Sequence, residues 1–373
     1  MSAARAGAED GRKSSATTGR RAGPGGPTVG GMRRVIAGVA ALVVACTAAP
    51  PVAAPSVTGP VSTATATVAS TATRGSGTFA LREFPVPAGQ APHDVAPAAD
   101  GGVWYTAQAA GALGWLDPKT GQTRTTSLGS GSAPHGVIVG PDGAPWVTDG
   151  GLNAIVRVDP ATREVKRFAL PPDRPNANLN TATFDRDGAL WFTGQRGVFG
   201  RLDPNTGTMA VFDAPRGAGP YGIAACPDGN VYFASLAGSY VGRIARATGL
   251  VVVMEPPTTG QGARRVWCDS KSRVWVSEWN AGQLARYDGT AWREWKLPGT
   301  RPMAYAVFVD DVDAVWITDW GANAIVRFDP LSESFIAVAH PQPNANVRQI
   351  LGRAGELWGA MSGQDKLVVA RAP

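Results

Sequence analysis

Charge is scarce in this sequence, and what there is lies unevenly. Charged residues occupy 17% of the 373 positions. Eight of the 35 basic residues but only two of the 29 acidic ones fall in residues 1–77, so residues 78–373 keep 27 of each. The net charge of +6 therefore belongs to the leading segment. A neutral folded part has no field to hold a polyanion, which excludes nucleic acid as a partner. Apolar runs are short as well. "MRRVIAGVAALVVAC", from Met32 to Cys46, carries two arginines ahead of a stretch too short to span a bilayer as a helix. That is a signal-peptide pattern.

Cysteine and histidine are rarer still, at three each. Residues 1–31, polar and Gly-rich, read as a leader that need not be translated if Met32 is the start. Residues 32–46 read as the signal peptide, and "VVAC" resembles a bacterial lipobox with Cys46 as its lipid-bearing residue; ordinary secretion with later cleavage is the alternative. The expected protein is exported, either extracellular or a cell-surface lipoprotein, with membrane attachment only through Cys46. Residues 47–77, rich in Ala, Thr, Ser and Pro without periodicity, read as a flexible tether. Cys226 and Cys268 stand in neighbouring repeats and are expected as separate buried small hydrophobes rather than a bridge.

Glycine (47) and proline (30) are abundant, which favours short strands and tight turns over helices. An aromatic after a turn recurs as "GGVWYT", "GAPWVT", "GALWFT", "GNVYFA", "SRVWVS", "DAVWIT" and "GELWGA". The anchors are Trp104, Trp146, Trp191, Tyr232, Trp275, Trp316 and Trp358, spaced by 42, 45, 41, 43, 41 and 42 residues. Each repeat holds four runs, here lettered A to D, of Val, Ile, Phe and Trp bounded by turn formers. "HGVIVG", "PWVTD", "AIVRVDP" and "EVKRFALP" are one set. Four antiparallel strands per repeat make a propeller blade, and the all-β architecture expected over 78–373 is a seven-bladed β-propeller. The last repeat ends at "DKLVVARAP", with no strand D of its own. "TFALREFPVP" (Thr78 to Pro87) resembles a D strand and is expected to complete that blade, closing the ring and removing two exposed edges. The ring is expected to be monomeric.

Repeats such as "PHGVIVGPDGAPWVT" and "WITDWGANAIVRFDP" resemble the streptogramin B lyase (virginiamycin B lyase) family of seven-bladed propellers, over about residues 78 to 373. The resemblance implies elimination at the ester of a cyclic depsipeptide, with histidine as base and a magnesium ion, held partly by carboxylates, stabilising enolate-like charge. It also implies key histidines at the start of strand A in the last two blades. Here those positions hold Tyr305 and Arg348, with Asn346 and Ser362 where the family has glutamates.

Counting back from each anchor identifies the residues at the start of strand A, which lines the central channel. Position −11 reads His93, His135, Asn180, Tyr221, Arg264 and Tyr305, with Arg348 at −10 in the last blade. All are polar, as a ligand mouth requires. His135 and Asp149 each lie seven residues from Asp142 at the turn, so they are expected to be cross-strand neighbours. The expected site is displaced around the ring. His135 would be the base, His93 the acid or orienter, and Asp149 the partner, while Asp149, Glu278 and Asp319 are the candidate metal ligands. Asn180, Tyr221, Arg264, Tyr305 and Arg348 would bind substrate, with Trp279 and Trp320 as an aromatic wall. The ligand would be a small molecule or cyclic peptide. The reading leans to a carbon–oxygen lyase and keeps open a non-catalytic binding propeller and a metal-dependent lactonase or hydrolase. Arginines recurring in strand C (Arg157, Arg201, Arg243, Arg286, Arg327) are expected to bond blade to blade, Arg264 beside Glu278 is readable as an ion pair, and His340 is expected at the surface.

Overall fold

Sheet pairing follows the repeats. A computed structural model describes residues 78–371, which form seven four-stranded antiparallel sheets. The expected signal peptide, the lipobox at Cys46 and the expected tether lie outside the described residues. The innermost strands of blades 1 to 7 are Pro92–Pro97, Pro134–Val139, Leu179–Phe184, Pro220–Ala225, Ala263–Cys268, Ala304–Val309 and Val347–Arg353. Each packs against the innermost strands of its neighbours, and the first touches the last, so the ring is closed.

Closure uses the N-terminal strand, as its sequence implies. Ala80–Pro85 runs antiparallel to Lys366–Arg371 as the outer strand of blade 7, with Phe84 opposite Leu367. Phe84 packs against the anchor Trp358, and Lys366 Nζ donates to Glu83 Oε2 at 2.7 Å. His340, placed at the surface by its position after an outer strand, is instead 6% exposed. The closing strand reaches across it, bringing Glu83 Oε1 to 4.0 Å from its Nδ1.

The anchoring aromatics lie on second strands that are buried throughout, because each sheet is covered on both faces by its neighbours. Trp191, Trp275 and Trp316 each donate the indole N–H to an aspartate at the end of strand A (Asp185, Asp269 and Asp310) at 2.8–2.9 Å. The recurring arginines do not bond blade to blade. They pair in register with their own blade's anchor, Arg157 opposite Trp146 and Arg327 opposite Trp316, and several lay the guanidinium over the indole. In blades 3, 5 and 6 their place in the repeat gives the anchor a cation–π cover.

Cys226 and Cys268 are joined in a disulfide, correcting the expectation of separate thiols. Cys226 follows the innermost strand of blade 4 and Cys268 ends that of blade 5, one repeat apart, and adjacent blades bring such residues together with Cα atoms 5.3 Å apart. The bond encloses 42 residues. Replacing both cysteines by alanine is expected to cost about 2–4 kcal/mol in urea denaturation. An unchanged midpoint would show that the bond contributes no constraint.

Candidate functional site

The start of every innermost strand carries an irregularity. In each of the seven blades the pairing between strands A and B slips near position −11, so one residue of strand A has no partner on strand B. In blade 2 Pro134 pairs with Asp149 and Gly136 with Thr148, leaving His135 as the extra residue. A bulge re-aims side chains that strict alternation would send to opposite faces. Positions −11 and −10 can therefore both serve the channel, the first at the mouth and the second as a tier beneath.

In five of the blades a hydroxyl two residues after the anchor fixes the bulge. Thr106 Oγ1 accepts from Asp94 N at 2.9 Å and donates to the carbonyl of His135 in the next blade at 2.9 Å. Thr148 serves Gly136 N and the Asn180 carbonyl likewise, and Ser277 serves Arg265 N and the Tyr305 carbonyl. His135, Asn180, Tyr221 and Tyr305 are thus each held by the blade before them. The signal was visible as the hydroxyl in "WYT", "WVT", "WFT", "WVS" and "WIT", which sequence reading left unused.

The mouth residues form one connected cluster. The rings of His93 and His135 lie 3.7 Å apart between centroids. His135 Nδ1 lies 3.1 Å from the Asn180 carbonyl, and its Nε2 lies 3.2 Å from the Asn180 amide nitrogen. The Tyr221 and Tyr305 hydroxyls are 3.0 Å apart, and Arg264 Nη2 donates to Tyr221 Oη at 2.7 Å. Arg264 lies over the Tyr305 ring at 3.6 Å, while Trp320 stacks on Tyr305 at 4.6 Å and Trp279 meets Trp320 edge-on. Arg348 donates to Ser362 Oγ at 2.8 Å and brings Nη1 to 3.4 Å from both His93 Nε2 and the Tyr305 hydroxyl. Trp279, Trp320 and Arg348 are half-buried and form the rim; the other members are buried.

Beneath them lies a residue that sequence reading missed. Asp94 accepts from His93 Nδ1 at 2.8 Å and faces Arg265 Nη2 across the ring at 3.3 Å. Arg265 also donates to Thr181 Oγ1 at 2.5 Å. Gly222 lets the innermost strands of blades 4 and 5 approach closely at this level, since a Cβ there would stand 2.6 Å from Arg265 Cα. The opposite end of the channel is an apolar cavity of about 320 Å³ among Ile138, Ile223, Trp267, Phe308 and Leu351.

The expected carboxylates are elsewhere. Asp149 does not partner His135; it accepts from Ser132 Oγ at 2.5 Å and from the amides of Ala133 and Leu152 at 2.9 Å. Asp319 accepts from the amides of Met303, Gly321 and Ala322. The bulge explains both, because the extra residue leaves the +3 carboxylate opposite position −12 and at the loop rather than facing the mouth histidine. Glu278 pairs in register with Ala263, makes no ion pair with Arg264, and is fully buried with neither oxygen hydrogen-bonded. Burial pushes its carboxyl up to about 8. Among the described residues, the set that gathers three donor groups within 4.8 Å is His93, Asp94 and His135, not Asp149, Glu278 and Asp319.

That set does not fit magnesium. Magnesium takes oxygen ligands, and the cluster offers two imidazoles and one carboxylate already committed to Arg265 and His93. Burial, then Arg348, Arg265 and Arg264, hold the His93 imidazole well below its ordinary value. Burial and His93, with Arg265 and Arg348 adding to them, do the same to His135, against the pull of Asp94. Both rings are neutral at neutral pH. Burial raises Asp94 against the pull of Arg265, and it raises Tyr221. Burial also acts upward on Tyr305, but Arg264, Arg265 and Arg348 outweigh it and leave this phenol lowered.

The model of the virginiamycin B lyase family matches residues 79–368. The chain belongs to that family. A streptogramin B lyase structure is similar to this member at 23% identity, covering 79% of this chain and 97% of that one, with a TM-score of 0.73. The virginiamycin B lyase of Staphylococcus aureus gives 21% identity, 79% and 100% coverage and a TM-score of 0.74. A catalytically inactive histidine-to-alanine form of that enzyme, solved with quinupristin, gives 22% and 0.74. The extracellular domain of a hybrid two-component system from Bacteroides thetaiotaomicron is also similar, at 14% identity, 78% and 42% coverage and a TM-score of 0.63. At such identities the likeness is one of fold. No curated protein sequence matches the chain.

Proposed function

We propose that this propeller is a carbon–oxygen lyase of the virginiamycin B lyase type that opens an ester-linked ring at its arginine-rich mouth. One observation carries the reading: His93 Nδ1 is held by Asp94 at 2.8 Å, while its Nε2 faces the mouth beside Arg348. A carboxylate accepting from Nδ1–H fixes the tautomer with the lone pair on Nε2, where Arg348 Nη1 stands 3.4 Å away, and the neutral ring is the form a base requires. His93 therefore takes the role expected of His135, whose ring is held by Asn180 and serves as an orienter. In the reaction, Nε2 removes the proton alpha to a carbonyl, the electron pair forms the C=C bond, and the C–O bond breaks with the carboxylate leaving. Arg348 and Arg264 supply the positive charge that would stabilise the developing oxyanion. A leader of signal-peptide type and a disulfide support a site of action outside the cytoplasm.

Quinupristin is the test substrate, followed by chromatography and mass spectrometry. Elimination leaves the mass unchanged, whereas hydrolysis adds one water. The expected result is an isobaric ring-opened product, reduced about 10²–10⁴-fold in rate by His93→Ala. Hydrolysis, or no reaction, would overturn the lyase reading. A binding propeller is favoured by one feature, the burial of His93 and Tyr305 at 2% and 1% exposure. Saturable quinupristin binding without turnover would establish it.

A further inference from the structure

The channel mouth carries more positive charge than its own residues neutralise. Three guanidiniums, those of Arg264, Arg265 and Arg348, converge on it, and Asp94 answers Arg265 alone. Among the described residues, the hydrogen bonds of Arg264 and Arg348 run to Tyr221, Ser362, Tyr305 and His93, none of them a carboxylate. Arg264 is 8% exposed, and its Nε has no acceptor. Both guanidiniums abut one side chain, Arg264 over the Tyr305 ring at 3.6 Å and Arg348 at the Tyr305 hydroxyl. Holding unpaired charges in a desolvated site is costly, and aromatic faces compensate only part of that cost. An incoming anion would supply the rest through charge-assisted hydrogen bonds to two planar forks.

We infer that the ligand of this mouth is a small carboxylate with an aromatic or apolar body. Its carboxylate lies between Arg264 and Arg348, and its body lies against the half-buried rim of Trp279 and Trp320. The inference rests on the mouth being the ligand site, and it does not limit the proposed lyase to acids, because opening the ester itself releases a carboxylate. Nothing in it requires a metal, because the arginines supply the positive charge.

Indole-3-acetate and its neutral amide, indole-3-acetamide, are the matched probes for calorimetric titration of the purified protein. The acid is expected to bind at least about tenfold more tightly than the amide, and the preference should shrink as sodium chloride is raised. Arg348→Gln, at a half-exposed position, should abolish the preference by bringing the affinity for the acid down to that for the amide. Equal affinities, binding of neither probe, or a preference that survives Arg348→Gln would overturn the inference. Quinupristin turnover is read separately. Ring opening without a preference for the acid sinks this inference alone, and acid-selective binding without ring opening sinks the lyase reading alone.

Discussion

Glu278→Gln is expected to stabilise the protein by about 3 kcal/mol at pH 7, with the gain rising to about 4 kcal/mol at pH 8 and levelling at about 5 kcal/mol above pH 9. Glu278 is fully buried, neither oxygen has a hydrogen-bond partner, and burial moves its carboxyl from 4.5 up to about 8. Gln283 eases that shift and the Glu294 carboxylate reinforces it. Because the folded value lies above the unfolded one, the folded state binds the extra proton between those limits. The contribution of this group is fully present below about pH 4.5 and is lost at up to about 1.4 kcal/mol per unit as pH rises to about 8. Glutamine fills the same space and never ionises, so it removes the slope. Urea denaturation of both proteins from pH 5 to pH 9 measures the difference. Parallel stability curves would show that Glu278 is ionised and solvated in the folded protein. Asp149 and Asp319, the carboxylates at the same position of other blades, are shorter and reach backbone amides that Glu278 does not. The extra methylene thus leaves a buried acid unpaired.

The ring was legible because its determinants are local. Tight turns and an aromatic every 41 to 45 residues are properties of short stretches, and they identified seven blades and the closing strand without any long-range information. The membership of the mouth was legible for the same reason, since counting back eleven residues follows the chain along a single hairpin. Facing was not. Asp94 and Arg265 follow a mouth residue directly, and strict alternation turns such neighbours to opposite faces. Seven bulges overrule that rule, and nothing in "PHDV" or "ARRVW" announces them without the matching hydroxyl on strand B. The same slip moved Asp149 away from His135 and broke up the expected metal ligands. The disulfide was recoverable in principle, because Cys226 and Cys268 sit one repeat apart at the ends of neighbouring strands. His340 was not, since its cover comes from a strand more than 250 residues earlier in the chain.

Asp94→Ala is expected to destabilise the protein by about 3–5 kcal/mol, the usual consequence of stranding one charge of a buried pair. Asp94 and Arg265 are 1% and 4% exposed and face each other across the channel from blades 1 and 5. Without the carboxylate, the Arg265 guanidinium keeps only the Thr181 hydroxyl and stands against two further arginines. Arg265→Met alone strands the opposite charge and should cost a similar amount. The double variant removes both charges and should be markedly less damaged than the sum of the two, a coupling that a denaturant-based double-mutant cycle reads directly. Additive losses would mean that the pair contributes nothing as a pair. Asp94→Asn separates this structural role from the chemical one. It preserves shape and a hydrogen bond to His93, but removes the charge that favours proton uptake at Nε2. Its stability loss should resemble that of Asp94→Ala, while in the double variant with Arg265→Met the fold is restored and turnover is not. One carboxylate thus anchors the ring from within and sets the tautomer of His93 above it, which ties the geometry of the mouth to the charge balance of the channel.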